Sequence, residues 1–547
     1  MTRATATLHV PAPAPGSGPG HGPAPAPAIH ALYTAGEIRA IEAAHAAKHP
    51  KTSLMRRAGA AVAKLALTLT AGKKNAAILV LAGPGNNGGD AWVAAASLKK
   101  SAQRVTVLAL GENKFDDNAA SRAHTEFKRS KGIVCREFPV DETFDLIIDG
   151  LFGIGLARAP GGSFASAIAR ANALRNCGGT QILAIDVPSG LASDTGVALG
   201  ETINADHTLT FLGFKPGLFT ADGRDVAGEV HLDSLGVVAA YSSPGKLLNA
   251  DLVRTLIPVR QHQSHKGTYG NVAIIGGAEG MVGAAVLAAR AALYMGPGKV
   301  FLGVAAKDFA AFDPLNPEVM VRKADDLVND ESLTVLAIGM GLGIDKSAPR
   351  LLAAALARRL PMVLDADALN LLATTTGFAA ALMPDFDKSS VGAPFQPQSP
   401  QMPRQCWTYV MTPHPGEAAR LLNVSVAHLQ ADRVTSAIAL AKRFDAIVVL
   451  KGAGTIIAVP DGRYFINTSG NPGMASGGMG DALSGMIAAF LAQGLSALDA
   501  AKLAVYLHGA AADACVAHGM APLGLTASEV IFEARMLLNS GLEHHEH

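Results

Sequence analysis

The sequence predicts an α/β protein with two mostly parallel sheets, each covered by helices on both faces. Short apolar runs alternate with helical patterns, as in βαβ units, and this alternation restarts near residue 250. The 58 glycines are dispersed and not periodic, as expected for loops lined by backbone. A chain of 547 residues is long enough for two large domains.

Composition excludes several classes of protein. Apolar residues make up 49% and charged residues 17%, so global disorder is excluded. The 46 basic and 45 acidic residues leave a net charge of +1, which provides no basic excess for nucleic-acid binding. Aromatic residues, at 5%, are few for base stacking. We therefore expect small-molecule substrates and no nucleic-acid partner.

We expect neither a signal peptide nor a membrane span. Residues 1–29 form a Pro- and Ala-rich tail, predicted to be disordered, without the apolar segment of a signal peptide. The longest apolar run, Ala482–Leu498, is interrupted by Gly485 and Gln493, and we expect it to form one buried core helix. The four cysteines are far apart and lack metal-ligand spacing, which indicates reduced thiols and a cytoplasmic protein.

The predicted domains span residues 30–240 and 250–541. The first begins with a helix capped by Thr34 and Glu37. Within the second, residues 385–407 are rich in Pro, Ser and Gln without periodicity, which predicts a mobile loop. The predicted strands are 76–82, 105–110, 146–148, 182–185 and 208–211, then 272–275, 300–304, 335–338, 362–364, 409–412 and 447–450. A long helix is predicted to begin after Gly480.

The first half carries a glycine-rich turn between a strand and a helix. Residues 83–88 read GPGNNG and match the GxGxxG pattern of dinucleotide-binding turns. Glu112 follows the next strand and is a candidate ligand for a ribose, so an NAD-dependent dehydrogenase is the first hypothesis. However, the two Asn residues and the following Gly-Gly-Asp add polar groups that a phosphate turn does not need.

Two further strand ends in this half carry polar residues. Asp149 precedes a second glycine-rich loop, and Asp186 and Ser189 follow another strand. Because the carboxyl ends of parallel strands meet at one edge of a sheet, these three loops are predicted to converge on one crevice.

In the second half, a glycine-dense segment, residues 470–480, ends at Asp481 and leads into a helix. Such a turn forms an anion hole for a transferring phosphoryl group, and an Asp at its end can accept a proton from an attacking hydroxyl. Residues 451–455 follow a strand and are a candidate nucleotide site. His414 lies between two prolines at another strand end. No GxxxxGK[ST] motif occurs, which excludes a P-loop kinase.

The motifs GNNGGD, DGLFGIGL and DVPSGL, in this order, resemble the YjeF N-terminal family of NAD(P)H-hydrate epimerases over about residues 30–235. The resemblance implies a three-layer αβα domain with a Rossmann-like sheet and a K⁺ site formed by Asn87, Asp149 and Ser189. It implies that Asp186 contacts the nicotinamide-derived ring as the acid/base catalyst. Ala91 replaces a glycine frequent in the family. The hydrated dinucleotide would be bound by Asn86, Asn87, Gly88, Gly89, Asp90, Gly153, Ile154, Gly155, Leu156, Ala157, Arg158, Ala159 and Asp186.

The motifs HKGTYGNVAIIGG, DADALN, TPHPGEAARLL, KGAGT and GNPGMASGGMGD resemble the ADP-dependent (S)-NAD(P)H-hydrate dehydratases over about residues 250–540. The resemblance implies a three-layer αβα domain with a ribokinase-like sheet, ADP as co-substrate and Mg²⁺. It implies that Asp481 faces the substrate hydroxyl. The segment 295–299 and the long loop 385–407 depart from the family pattern. Ala284, Gly341 and His414 would bind the hydrate, and Lys451, Gly452, Ala453, Gly454, Thr455 and Gly480 the adenine nucleotide.

Together the two resemblances imply a bifunctional repair enzyme for hydrated nicotinamide cofactors. The first domain would interconvert the R and S forms of NADHX and NADPHX, and the second would consume the S form. Asp481 would deprotonate the ring hydroxyl, which attacks the β-phosphoryl of ADP, and loss of phosphate would restore NAD(P)H and leave AMP. We also expect a homo-oligomer.

Three alternatives remain at this level. A small-alcohol kinase fused to an accessory dinucleotide-binding domain predicts a stable phosphorylated product. A non-enzymatic first domain predicts loss of the loop carboxylates, yet Asp90, Asp149 and Asp186 are present. A dehydrogenase predicts a second, hydride-accepting substrate. The sequence leaves open the choice between NADHX and NADPHX and between ADP and ATP.

Overall fold

The computed structural model of this chain describes residues 30–542, except 72, 113–117, 140–141, 239–242, 376, 379–381, 383–407 and 521. It divides into two compact units, Met1–Leu247 and Leu248–His547. The predicted α/β class with two sheets is confirmed. The predicted tail, 1–29, and the predicted mobile loop, 385–407, lie outside the described residues.

The first unit contains a seven-stranded sheet of order β4-β3-β2-β5-β6-β7-β8, in which all neighbouring strands are parallel. Two short strands, β1 and β9, pair antiparallel. The strands are β1 Ala31–Leu32, β2 Ala77–Ala82, β3 Arg104–Ala109, β4 Ile133–Cys135, β5 Leu146–Gly150, β6 Gln181–Ile185, β7 His207–Phe211, β8 Glu229–Asp233 and β9 Gly245–Leu248. The helices are α1 Ala35–Lys48, α2 Leu54–Leu69, α3 Asn86–Lys100, α4 Asn118–Arg129, α5 Ser163–Asn176 and α6 Gly223–Val226.

Side chains that point alternately to the two faces of the strands produce the three layers of this unit, one sheet between two layers of helices. In β2, Ile78 and Val80 pack in one buried cluster with residues of α1 to α4. Leu79 and Leu81, on the opposite face, pack in a second cluster with residues of α5. Because successive side chains of a strand point to opposite faces, a fully apolar strand supplies both cores at once. Helix α1 begins with the predicted capping box.

The second unit contains nine strands in the order β18-β17-β16-β15-β14-β13-β10-β11-β12. Strands β16 to β18 pair antiparallel and the others pair parallel. The strands are β10 Asn271–Gly276, β11 Lys299–Val304, β12 Met320–Lys323, β13 Val335–Ile338, β14 Met362–Leu364, β15 Tyr409–Met411, β16 Ile447–Leu450, β17 Ile456–Ala458 and β18 Tyr464–Asn467. The helices are α7 Ala250–Arg254, α8 Val282–Tyr294, α9 Ala324–Leu327, α10 Ser347–Ala357, α11 Ala366–Thr374, α12 Pro415–Leu422, α13 Val426–Ala431, α14 Arg433–Phe444, α15 Met479–Ala492, α16 Ala497–Ala517 and α17 Ala527–Asn539.

Helices α8, α15, α16 and α17 form the largest buried cluster of this unit with one face of the sheet. Helices α9, α10 and α14 contact strands β11, β13 and β16. Helices α8 and α15 pack backbone to backbone: a Cβ added at Gly485 would lie 2.0 Å from the carbonyl oxygen of Ala288. Both helices begin near the carboxyl ends of the strands, which is where the candidate site of this unit lies.

One helix prediction in this unit is wrong. Residues 482–498 do not form one helix, since α15 ends at Ala492 and α16 begins at Ala497. Gly494, with φ +92°, adopts the left-handed conformation that ends a helix, and Ser496 caps the next one. The helix predicted after Gly480 begins earlier, at Met479, and Gly478 is its N-cap.

The structure adds seven strands that the sequence patterns did not predict, β1, β4, β8, β9, β12, β17 and β18. Among these, β4, β8 and β12 lie at the edges of the parallel sheets. Edge strands are covered on fewer sides and therefore carry polar residues, as the sequence EVHLD of β8 illustrates. Among the described residues, no helix combines the length and apolarity needed to cross a bilayer.

Candidate active sites

The glycine-rich turn of the first unit packs against the loop that follows β5. Gly83 donates its N–H to the carbonyl of Gly150 at 3.1 Å. A Cβ at Gly83 would lie 2.0 Å from the carbonyl oxygen of Leu151, and one at Gly88 would lie 1.9 Å from that of Gly83. Only glycine permits these approaches. The turn therefore brings the first residues of α3 to the loop after β5.

A buried cluster of oxygen atoms lies at this junction. The Asp149 carboxylate accepts hydrogen bonds from the Ser189 hydroxyl at 2.7 Å and from the Ser189 amide at 2.8 Å. The Ser189 Oγ accepts one from the Phe152 amide at 2.9 Å, and Asn87 Nδ2 donates to the Phe152 carbonyl at 2.9 Å. The fold thus brings together the three predicted K⁺ ligands, Asn87, Asp149 and Ser189, and adds the backbone of Phe152.

The electrostatics of this cluster favour a cation. Asp149 is fully buried, and burial raises the pKa of its carboxyl to about 6, against the hydrogen bonds from Ser189. Within the described part of the chain, no basic side chain forms an ion pair with this carboxylate. Carboxylate, amide, hydroxyl and carbonyl oxygens are hard ligands and fit a hard cation.

Asp186 lies beside this cluster in a buried ion pair. Its backbone has φ +66°, the left-handed region that non-glycine residues seldom occupy. Its Oδ1 lies 2.5 Å from Nζ of Lys215, whose side chain is 0% exposed. The ammonium also donates to Thr210 Oγ1 at 2.9 Å and to the Phe211 carbonyl at 2.7 Å. All three N–H groups of Lys215 are therefore used, one of them by Asp186. The Thr210 hydroxyl at 3.2 Å and the Phe211 amide at 3.3 Å also donate to Asp186 Oδ1, so three donors fix this carboxylate.

Helix α1 contributes two more charged groups to this site. Arg39 Nη2 donates to the Ile154 carbonyl at 3.4 Å, in the loop 153–159 that was predicted to bind the dinucleotide. Glu42, one turn along the same helix face, has a pKa raised by burial and then by the charge of Asp186. In the same loop, Ala159 lies against Gly200.

Lys215, Arg39 and Glu42 were not predicted from the sequence. Lys215 carried a signal, because it is a single lysine within the otherwise apolar and glycine-containing segment 211–219. A lysine in such a segment must have a buried partner. Arg39 and Glu42 carried none, since charged residues on the first helix of a domain are ordinary surface residues.

In the second unit, a second lysine–aspartate pair lies at the carboxyl edge of the sheet, with Asp365 buried and Lys451 20% exposed. Lys451 Nζ donates to Asp365 Oδ1 at 2.8 Å, and the Ser484 hydroxyl donates to Asp365 Oδ2 at 2.8 Å. Burial alone would lower the pKa of Lys451, but the charges of Asp365 and Glu417 outweigh it and raise this pKa. The lysine is thus held charged after β16, where the predicted nucleotide segment 451–455 begins.

Asp481 lies in the first turn of α15 and faces this pair. Burial raises the pKa of its carboxyl to about 6, and the charges of Asp365 and Asp367 act in the same direction, against Lys451. A Cβ at Gly480 would lie 3.1 Å from Lys451 Nζ, so a glycine here leaves room for the ammonium. A half-buried carboxyl with this pKa can accept a proton near neutral pH.

The glycine-rich loop before α15 is fixed by a residue that the sequence analysis missed. Asp513, on α16, accepts hydrogen bonds from the Gly470 amide at 2.8 Å and from Asn471 Nδ2 at 3.0 Å. Ser469 donates its hydroxyl to the carbonyl of Tyr506 on the same helix at 2.8 Å. The loop is therefore held at its start, while its end leads into the N-terminus of α15.

The three residues predicted to bind the hydrate lie on other loops of this edge. His414 caps α12: its Nδ1 accepts hydrogen bonds from the amides of Gly416 and Glu417. Burial lowers the pKa of His414, as do Lys451 and Arg420. A Cβ at Gly341, with φ +60°, would lie 3.3 Å from that of Ala284. Thus His414 lies beside Lys451, whereas Ala284 and Gly341 form a neighbouring pair.

Comparison with known proteins matches two families along the chain. The family described as YjeF-related protein N-terminus matches residues 51–217. The family described as NAD(P)H-hydrate dehydratase matches residues 272–391 and 392–533.

Full-length relatives cover both regions. The bifunctional NAD(P)H-hydrate repair enzyme Nnr of Escherichia coli is 38% identical over 468 residues, which is 84% of this chain and 85% of that protein. The bifunctional NAD(P)H-hydrate repair enzyme of Leishmania major is 34% identical over 547 residues, 93% of this chain and 94% of that protein. A solved structure, the ADP/ATP-dependent NAD(P)H-hydrate dehydratase from Bacillus subtilis co-crystallised with ATP/Mg²⁺, is 30% identical and covers 54% of this chain and 98% of that chain, with TM-score 0.45.

The buried ion pair of the first unit leads to a stability prediction. Lys215→Met should lower the free energy of unfolding by about 3–5 kcal/mol, because it leaves the Asp186 carboxylate buried without its partner. Lys73→Met is the matched control, since its pair with Asp145 is exposed (side chains 57% and 31%) and should cost less than about 1 kcal/mol. Urea unfolding followed by circular dichroism measures both. Equal losses in the two variants would contradict a structural role for Lys215.

Proposed function

This chain belongs to the family of bifunctional NAD(P)H-hydrate repair enzymes, and we propose that each of its two units carries one of the two active sites. The enzyme epimerises the R and S forms of NAD(P)HX and dehydrates the S form to NAD(P)H. The observation that carries this conclusion is that full-length relatives align across both units. Each unit has a buried aspartate paired with a lysine at the carboxyl edge of its sheet.

For the epimerase, we assign the acid/base role to Asp186. Inverting a carbon that bears both nitrogen and hydroxyl requires proton movement at the ring, for which a positioned carboxylate is suited. The contacts of Lys215 with Asp186, Thr210 and Phe211 support this assignment, because they hold the carboxylate in one orientation. The dinucleotide would bind along 86–90 and 153–159, with its phosphates at the N-terminus of α3.

We assign a K⁺ site to Asn87, Asp149 and Ser189 in the same unit. The support is the buried Asp149, which has hard oxygen ligands around it and no basic partner among the described residues. A bound K⁺ would neutralise this carboxylate and hold the loop after β5 against α3. In that way it would fix the shape of the dinucleotide site without contacting the reacting carbon.

For the dehydratase, we assign the role of general base to Asp481 and that of phosphate-binding cation to Lys451. Asp481 accepts the proton of the ring hydroxyl, and that oxygen attacks the β-phosphoryl of ADP. The N-terminus of α15 stabilises the charge on the transferring group. This attack releases AMP. The ring nitrogen then expels phosphate, and loss of a proton from the neighbouring ring carbon to water completes the double bond of NAD(P)H. The nucleotide would bind along 451–455 and at Gly480, and the hydrate at Ala284, Gly341 and His414.

Mg²⁺ would neutralise the diphosphate of the nucleotide when bound. Magnesium is usually held by one or two carboxylates together with substrate phosphates. Asp367 fits this role, because its carboxylate lies at the same site and influences Asp481. Its orientation is fixed by hydrogen bonds from the Gly343 amide at 2.8 Å and from Asn370 Nδ2 at 3.3 Å.

We also propose a cytoplasmic location and a homo-oligomeric state. Cys135, Cys177 and Cys515 are free thiols, which suits a reducing compartment.

Phe532 and Met536, four residues apart on α17, are both 54% exposed and are candidates for a subunit contact. Light scattering of the purified protein would decide between a monomer and an oligomer.

The K⁺ site predicts a cation-dependent stability. KCl should raise the midpoint of thermal unfolding of the first unit and the epimerase rate, relative to tetramethylammonium chloride at equal ionic strength, because a cation that binds only the folded state stabilises it. Asp149→Asn should abolish both effects. A K⁺ effect of the same size in Asp149→Asn would contradict the assignment, as would its absence in the wild type.

The two aspartates predict separable losses of activity. Asp481→Asn should lower the dehydration rate by about 10²–10⁴-fold, the usual contribution of a general base, while epimerisation stays within about twofold. Asp186→Asn should do the reverse. The assay follows NADH absorbance from S-NADHX, and R-to-S conversion by chromatography. The exposed Asp326→Asn is the control. Loss of both activities in either variant would contradict two independent sites.

The pKa of Asp481 predicts an acid limb in the dehydratase profile. A general base acts only when ionised, so kcat/KM should fall about tenfold per pH unit below about 6 and be level above it. The measurement is kcat/KM for S-NADHX with ADP between pH 5 and 8. The residual rate of Asp481→Asn should lack this limb. An unchanged limb in that variant would assign the pKa to another group.

A further inference from the structure

Three metal-ligating side chains converge in the first unit, away from the Asp186 site. They are His207, the first residue of β7, and Glu229 and His231 on the edge strand β8. Thr210 and Phe211, which contact the Asp186–Lys215 pair, lie at the other end of β7. A strand rises about 3.3 Å per residue, so about 10 Å of β7 separates the two groups. The cluster is therefore outside the catalytic machinery assigned above.

The parallel register of the two strands brings these side chains together. His207 lies opposite Glu229, and His231 lies opposite Leu209. Because alternate residues of a strand share a face, Glu229 and His231 project on the same side of the sheet. This face is also that of His207, as the short distances between the side chains show.

The distances fit the coordination shell of a small divalent ion. His207 Nδ1 and His231 Nε2 are 3.2 Å apart. Glu229 Oε2 lies 3.6 Å from His207 Nδ1, and Glu229 Oε1 lies 3.8 Å from His231 Nε2. One ligand atom from each residue lies within 4.8 Å of the other two. In a tetrahedral site with metal–nitrogen bonds of about 2.0–2.1 Å, ligand atoms are about 3.3–3.4 Å apart.

We propose that His207, Glu229 and His231 bind one Zn²⁺ ion. Two imidazoles and one carboxylate form a mixed set of nitrogen and oxygen ligands. Such a set binds zinc in preference to the hard cations K⁺ and Mg²⁺. The side chains are 15%, 32% and 16% exposed in the order given, so an ion can reach them from solvent. The fourth position is left to water.

The neighbouring carboxylate supports the ligand set without belonging to it. Asp206 precedes His207, but its Oδ1 accepts from Arg175 at 2.7 Å and its Oδ2 from the Ile182 amide at 2.8 Å. It is therefore committed to these partners, and its charge adds to the negative potential at the cluster. A zinc ion here would join the edge strand β8 to β7 and so stabilise the sheet that carries Lys215 and Asp186.

Zinc binding to the full-length protein tests the proposal. Isothermal titration with ZnCl₂ compares the wild type, His207→Gln/His231→Gln, and Glu229→Gln, which keeps both imidazoles and tests the carboxylate alone. His262→Gln, an exposed histidine elsewhere, is the matched control. His544, His545 and His547 near the C-terminus are present in every variant, so any zinc that they bind contributes equally.

We expect one zinc equivalent to be lost in the double variant and its affinity to fall about tenfold or more in Glu229→Gln. Groups that merely support a metal ligand contribute about 10- to 100-fold to affinity, and a ligand contributes at least as much. Zinc should raise the midpoint of thermal unfolding in the wild type and in His262→Gln, but not in the double variant. Equal zinc stoichiometry and affinity in all four proteins would overturn the proposal and leave a metal-free hydrogen bond between two histidines.

Discussion

A carboxylate buried at the carboxyl end of a parallel strand loses its hydration, and each unit of this protein compensates one such carboxylate with a lysine. In the first unit Lys215 lies 2.5 Å from Asp186, and in the second Lys451 lies 2.8 Å from Asp365. Removing one partner from such a pair is far more costly than removing both. These pairs therefore constrain the loops around them, and the sites form only when the loops of several strands meet.

Each unit also contains a second carboxylate that has no lysine in direct contact, Asp149 in the first unit and Asp481 in the second. The proposed cation site depends on Asp149, and the proposed dehydration depends on Asp481. Burial raises the pKa of Asp149 and that of Asp481, each to about 6. The consequences differ because the surroundings differ. Asp149 is enclosed by oxygen ligands and suits a cation, whereas Asp481 is half-buried at a helix N-terminus and suits a proton. One chain thus joins production of the S epimer to its consumption.

The sequence by itself determined the α/β class, the interior parallel strands and the loops that hold the chemistry. Fully apolar strands such as Ile447–Leu450 can be recognised in the sequence because both of their faces are buried. The glycine-rich turns follow such strands directly. The motif around Asp186 could be recognised because it lies at a strand end, and parallel strands bring their carboxyl ends to one edge whatever the rest of the fold does. The motif around Asp481 could be recognised because a glycine-dense turn leads into a helix N-terminus.

The tertiary structure alone decided which distant residues complete each site. Lys215, Asp365 as a partner of Lys451, and Asp513 beneath the glycine-rich loop act through contacts between residues 29 to 86 positions apart. Local patterns do not encode such pairs, because a buried charge needs a partner in space and not in sequence. The edge strands could not be predicted for a different reason. A strand that is buried on fewer sides carries polar residues and therefore lacks the apolar run by which a strand is recognised.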